Sequence, residues 1–201
     1  MLLSAIRRQP VVVITALPLH YMAKREQWHL DDESVASTLN KKEITSIFVD
    51  TLTDIYTVKT HLLDYLPSMA QNANAMSLKL AILDTSIDVK AQLLRLDMVM
   101  KMLREMLDLT SRESYNDFNL NSYLKSGLDN ANPYKTDVAL LTHFIMIETI
   151  QVATFTMMKQ MSHAFNNKAI HDLIGDNLKD ATENLVIFNA MMVAHLAPAI
   201  T

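Results

Sequence analysis

The chain has 201 residues, half of them hydrophobic, with 2 glycines, 5 prolines and no cysteine. That length is ample for one well-packed core, and the shortage of breakers beside many Leu, Met, Ala, Lys and Gln favours helix over sheet. The lack of cysteine excludes disulfides, thiolate metal sites and cysteine nucleophiles, while a formal charge of −4 with no basic stripe leaves no electrostatic footprint for nucleic acid.

Residues 1–38 read as an irregular N-terminal arm set apart from the rest of the chain. Arg7 and Arg8 precede PVVVITALPL in the manner of a targeting peptide, but Pro10 and Pro18 bracket the run and no small-x-small cleavage site follows it. The VVVIT segment has strand propensity, yet a lone strand without a partner is not stable. His29 with Asp31, Asp32 and Glu33 is either a metal-ligating group or, more simply, the solvated entry to a helix.

Four helices make up the remainder. Ser37 or Thr38 is the expected cap of the first, running to about Met69 with Ile44, Ile47, Phe48, Leu52, Ile55, Leu62, Leu66 and Met69 at helical spacing. Lys59 falls on the same stripe, and Pro67 is expected to kink or tighten the last turn. A turn at residues 72–74 leads to the second helix, Met76 to Leu107, with Leu78, Ile82, Leu96, Val99, Leu103 and Met106 inward and Asp88 and Gln92 on that face four residues apart. Such a short link makes the pair an antiparallel hairpin.

Residues 108–135 lose periodicity and are too long for a hairpin turn, which predicts a crossover carrying a short helix from about Tyr115 to Leu128. The third helix starts at Thr136 or Asp137 and runs to about His163. An Asn166-Asn167 turn precedes the fourth, Lys168 to about His195, with Leu173, Ile174, Leu178, Leu185, Phe188 and Met192 inward and Asn177, Asp180, Ala181 and Asn184 near that face. Hairpin, long crossover, hairpin is the connectivity of a ferritin-like four-helix bundle. The expected architecture is therefore all-α, with the arm over 1–38, the bundle over 39–196 and a tail over 197–201.

The third helix poses the functional question. Its apolar run, DVALLTHFIMIETIQVATF, is interrupted by Glu148 and Gln151, one turn apart. A polar group pointing into a bundle costs several kcal/mol unless something pairs with it. No segment reaches the roughly 18 uninterrupted apolar residues of a membrane span. The 14 methionines fit gap-filling between helices better than a metal or peptide surface. The seven histidines show no ligand spacing within any one helix and are expected at the surface or at helix ends. No G-x-S-x-G nucleophile motif and no glycine-rich phosphate loop is present.

Laid out in this way, the chain resembles the YciF/YciE-type ferritin-like family of bacterial stress proteins over roughly residues 42 to 192. The first helix carries Asp54-Ile55-Tyr56, then Leu62 and Leu66. The second carries Asp88-Val89-Lys90-Ala91-Gln92-Leu93-Leu94-Arg95-Leu96. The third has Asp137-Val138-Ala139-Leu140 and then Glu148-Thr149-Ile150-Gln151-Val152-Ala153, and the fourth Leu178-Lys179-Asp180-Ala181. The resemblance implies inward carboxylates and histidine suited to a di-metal centre, and here the chain departs from it. Lys59 stands at the first-helix glutamate position, Asp88 at the second-helix acidic position and Lys90 at the following histidine position. Glu148 is retained, but Thr149 and Gln151 replace its histidine and glutamate companions, and Ala181 replaces a carboxylate beside Asp180.

A di-iron or di-manganese site needs a glutamate from each of two helices and Glu-x-x-His from the other two, and no Glu-x-x-His lies at an inward position here. A lysine among Asp88, Glu148 and Asp180 would repel a divalent cation. The residues thus point to a degenerate site without metal at Lys59, Asp88, Gln92, Glu148, Gln151 and Asp180. In it the Lys59 ammonium is expected to bond Asp88 and Glu148, with Gln92 and Gln151 satisfying the remaining lone pairs; the alternative has Lys59 reaching the bundle surface. The leading expectation is a non-enzymatic homodimer with no cofactor. The resemblance implies a cytoplasmic, stress-associated or structural role. The alternative is an iron- or manganese-dependent oxidase or peroxide-handling enzyme using Asp88, Glu148 and Asp180. A further expectation is a protein partner docked through the N-terminal arm.

Overall fold

Four long helices make up the described residues, 39–107 and 132–200 of a computed structural model. They are α1 (Lys41–Asn72), α2 (Met76–Leu107), α3 (Pro133–Met161) and α4 (Lys168–Ile200), with one 3-10 turn, Ser162–Phe165, between the last two. No strand occurs among the described residues, and the all-α expectation holds. The N-terminal arm with His29, and the crossover helix expected at Tyr115 to Leu128, lie outside them.

The starts of α1, α3 and α4 have a chemical reason. Asn40, rather than Ser37 or Thr38, caps α1: its side chain accepts from the Lys42 and Glu43 amides while the Glu43 carboxylate accepts from the Asn40 amide at 2.7 Å. Glu43, three residues on, closes this reciprocal box. α3 begins earlier than expected, because Pro133 is pre-set for a first helical position and Asn132 accepts from the Lys135 amide. The turn before α4 places Asn166 in the left-handed region (φ 50°), where asparagine is among the tolerated residues, and Asn167 Oδ1 accepts from the Ala169 amide at 3.0 Å. Pro67 sits on the exposed side of α1 and does not end it, and the helix continues to Asn72. α4 likewise runs past His195 to Ile200.

Asp137, near the start of α3, fixes the topology. It is 4% exposed, and its carboxylate accepts from the Asn74 amide at 2.7 Å and the Ala75 amide at 2.8 Å, in the turn between α1 and α2. The start of α3 is thereby pinned beside the start of α2, so these two helices run parallel. α1 packs on α2 and α3, and α4 packs on α2 and α3, which leaves α2 and α3 diagonal. This is ferritin-like connectivity.

The core forms two hydrophobic halves. One centres on Leu62, Leu66, Leu78, Ile82 and the stacked pair Phe144–Phe188, with ring centroids 4.6 Å apart. The other centres on Phe48, Leu52, Leu96, Val99 and Phe155, with Phe48 edge-on to Phe165 at 4.8 Å. On every helix a polar residue separates the two halves: Lys59, Gln92, Gln151 and Asn184. Two expected core residues prove exposed, Ile47 at 39% and Met106 at 45%. Ile47 lies about 100° around α1 from Phe48 and Met106 about 60° around α2 from Leu103, each near a helix end.

Candidate functional site: a polar layer across the bundle

The polar layer is built on Lys59. It takes a position of the buried stripe of α1, between Ile55 and Leu62, and its side chain is fully buried. Nζ donates to Gln92 Oε1 on α2 and to Gln151 Oε1 on α3, the latter at 2.5 Å. It also stands 5.4 Å from the centroid of the Phe155 ring, within the range of a favourable cation–π contact. The alternative in which Lys59 reaches the surface is excluded.

The expected ion pairs are not formed. Among the described residues no carboxylate oxygen lies within 4.0 Å of Lys59 Nζ. Glutamine carbonyls take the places expected of Asp88 and Glu148. The physical reason is angular position. Gln92 and Gln151 sit on the inward lines of their helices, at 1% exposure each, whereas Asp88 lies on the flank of α2 that faces α4 and is only half-buried. Glu148 is 1% exposed, one turn before Gln151, and its Oε2 has no hydrogen-bond partner.

Burial governs the electrostatics. It lowers the Lys59 pKa from 10.5 to about 8, against the opposing pull of Glu148, then Asp180 and Asp88. Burial also raises the Glu148 carboxyl from 4.5 to about 7, with the Lys59 charge opposing and Asp88 and Asp180 adding to the rise. Asp88 is raised chiefly by its own desolvation, while the Asn184 amide beside it favours the charged form.

Asp180 is committed elsewhere. Arg95 Nη1 donates to Asp180 Oδ2 at 2.5 Å and to Asn177 Oδ1 at 3.1 Å. Asn177 is fully buried, and its Nδ2 donates at 3.5 Å to the main-chain oxygen of Gln92. A connected polar chain therefore runs from Asp180 through Arg95, Asn177 and Gln92 to Lys59 and Gln151, touching all four helices. Neither Arg95 nor Asn177 was assigned a partner from sequence. Arg95 follows Asp88 by seven residues, two helical turns on the same edge of α2, and that spacing is the signal that could have exposed it.

The donor set does not suit a divalent cation. Such ions want several anionic oxygens at one point. Here the centre holds an ammonium and two neutral amides, Ala181 is fully buried without a ligand atom, and Asp180 is tied to Arg95. Among the described residues no group of three His, Cys, Asp or Glu side chains could hold a metal ion. Among the described histidines, His163 and His171 stand together at the α3–α4 turn, with ring centroids 4.6 Å apart. His61 and His163 are exposed, and His171 and His195 half-buried. His143 departs from the surface expectation at 6% exposure inside α3, and burial lowers its pKa. Ser162 Oγ lies 2.9 Å from His171 Nδ1, but it is 1% exposed and also bonds the Lys159 main-chain oxygen at 2.7 Å. It ties the α3–α4 turn and presents no reachable nucleophile. The segment Pro133–Phe165 is long and apolar enough to cross a membrane by length and composition, and here it serves as a bundle helix with Glu148 and Gln151 facing in.

Fold and site together define a four-helix bundle of ferritin-like connectivity with a lysine-centred polar layer. Residues 43–197 match the family described as a domain of unknown function, DUF892, and the chain belongs to it. Two solved structures share the fold. The Escherichia coli stress protein YciF is 13% identical with a TM-score of 0.66, over 77% of this chain and 97% of that one. YcfI of Rhodopseudomonas palustris, named as a candidate structural protein, is 17% identical with a TM-score of 0.63, over 77% and 96%. No curated protein matches the chain in sequence.

Proposed function

We propose that this chain is a non-enzymatic, metal-free member of its family, with a stress-associated or structural role in the cytoplasm. The observation that carries the reading is Lys59: its ammonium lies between Gln92 and Gln151 on three facing helices. A cation there disfavours a divalent ion by several kcal/mol at intermediate dielectric. The polar layer then fixes the register of the helices, a use of buried polar groups attested in other bundles. The names of YciF and YcfI support the stress-associated and structural parts of the proposal. The competing oxidase reading needs Asp88, Glu148 and Asp180 together, and the Arg95–Asp180 pair weakens it.

The test is metal content after exposing the purified protein to ferrous or manganous ion. The proposal expects substoichiometric metal in wild type and no change in Glu148→Ala. Stoichiometric iron or manganese that Glu148→Ala removes would overturn it.

A further inference from the structure

The solvent face of α2 is apolar, although α1 beside it shows water Asp50, Thr60, His61, Asp64, Ser68 and Gln71. Met76, Leu80, Leu83, Ile87, Leu94 and Met98 are 46–68% exposed. At about 100° per residue they fall on one narrow stripe, directly opposite the buried line of α2. An apolar stripe of this size on a polar rim marks an interaction surface.

The spacing of the stripe says what fits it. About Ile87 it is symmetric: Leu83 and Ala91 lie four residues to either side, Leu80 and Leu94 seven, and Met76 and Met98 eleven. A two-fold axis passing Ile87 would set two copies of α2 antiparallel. Each of these residues would then lie level with its counterpart on the other copy, on the opposite side of the seam, so that the side chains interdigitate. Leu83 comes beside the small Ala91, which leaves room for it. Lys79 and Asp97 sit on one flank of the stripe, eight and ten residues from Ile87. The same axis brings Lys79 of each copy opposite Asp97 of the other, two ion pairs per contact. Self-complementarity of this kind is what an isologous contact requires. A stable complex buries roughly 800 Å² per partner, and the six large side chains with their rim supply most of that.

We propose that α2 is the homodimer interface, two copies packing antiparallel about Ile87 through the stripe from Met76 to Met98. The surface is separate from the Lys59 layer, and the proposal stands whether or not that layer holds metal.

The absence of cysteine makes a clean test available on the full chain. Ile87→Cys, placed on the axis, is expected to form a disulfide-linked dimer under mild oxidation. Leu80→Cys alone is not, because its two copies would sit about 20 Å apart along the helices, whereas mixed Leu80→Cys and Leu94→Cys chains should cross-link to each other. Sedimentation of wild type is expected to give twice 22.8 kDa, and Ile87→Glu to weaken the dimer at least tenfold with helicity unchanged. A monomeric wild type would overturn the proposal. So would a dimer that Ile87→Glu leaves intact and Ile87→Cys fails to cross-link.

Discussion

Lys59 on α1 and Gln151 on α3 are 92 positions apart in the chain and 2.5 Å apart in space, ammonium to amide carbonyl. With Gln92 as the second acceptor, this contact holds a cation at the point where the family resemblance implies metal ligands. Keeping that cation charged away from water costs on the order of 3 kcal/mol. In the proposed role of the layer, fold specificity offsets that cost. Lys59→Met alone strands two amide carbonyls and Glu148, and is expected to destabilise by about 1–3 kcal/mol. The triple change Lys59→Met, Gln92→Leu, Gln151→Leu is expected to recover or exceed wild-type stability while broadening the amide spectrum. Urea unfolding and backbone NMR measure the two outcomes separately.

The pH dependence of stability has a worked sign. The Glu148 pKa is raised on folding, from 4.5 to about 7, so its contribution is fully present below pH 4.5 and is lost as pH climbs through 7. The Lys59 pKa is lowered, from 10.5 to about 8, so its contribution is present above pH 10.5 and is lost as pH falls through 8. Glu148→Gln should therefore gain on wild type between about pH 4.5 and 7, and Lys59→Met should lose ground to it between about pH 8 and 10.5. Urea midpoints across pH decide both, and parallel curves for variant and wild type would contradict the assignment.

Asp137 joins α3 to the α1–α2 turn through two charge-assisted bonds to main-chain amides. Asp137→Ala is expected to cost about 2–3 kcal/mol, and Asp137→Asn less, since one acceptor remains. Hydrogen exchange should quicken at Asn74 and Ala75 first.

Arg95 serves two acceptors and Asp180 one donor. Arg95→Ala leaves the Asn177 carbonyl oxygen buried without its donor and is expected to cost about 1–3 kcal/mol. Asp180→Ala should cost less, near 1 kcal/mol, because the pair is partly exposed, at 25% and 20%. Equal losses in thermal unfolding would contradict this ranking.

Much of the fold was legible in the chain. The 3–4 spacing of Phe48, Leu52 and Ile55, or of Leu96, Val99 and Leu103, fixes which side of a helix is buried, and the short and long links fix the order of packing. Periodicity also placed Lys59, Gln92, Glu148 and Gln151 inside. It could not say which of them touch. That depends on the relative axial level of helices far apart in the chain, and on a flank angle that turns Asp88 and Asp180 toward the α2–α4 seam. The sequence marks Asp137 as a helix start but not as a link to the α1–α2 turn, because its partners are main-chain amides, which leave no mark in side-chain pattern. His143 was misplaced because one histidine on an apolar face carries no spacing to weigh.

The central claim is that a buried, charged Lys59 occupies the middle of the bundle, and side-chain nitrogen NMR of that residue tests it most directly. The account predicts a slowly exchanging ammonium signal with contacts to the Gln92 and Gln151 side chains, titrating near pH 8 and absent in Lys59→Met. A Lys59 signal in rapid exchange with water and titrating near 10.5, as for a solvated lysine, would contradict it.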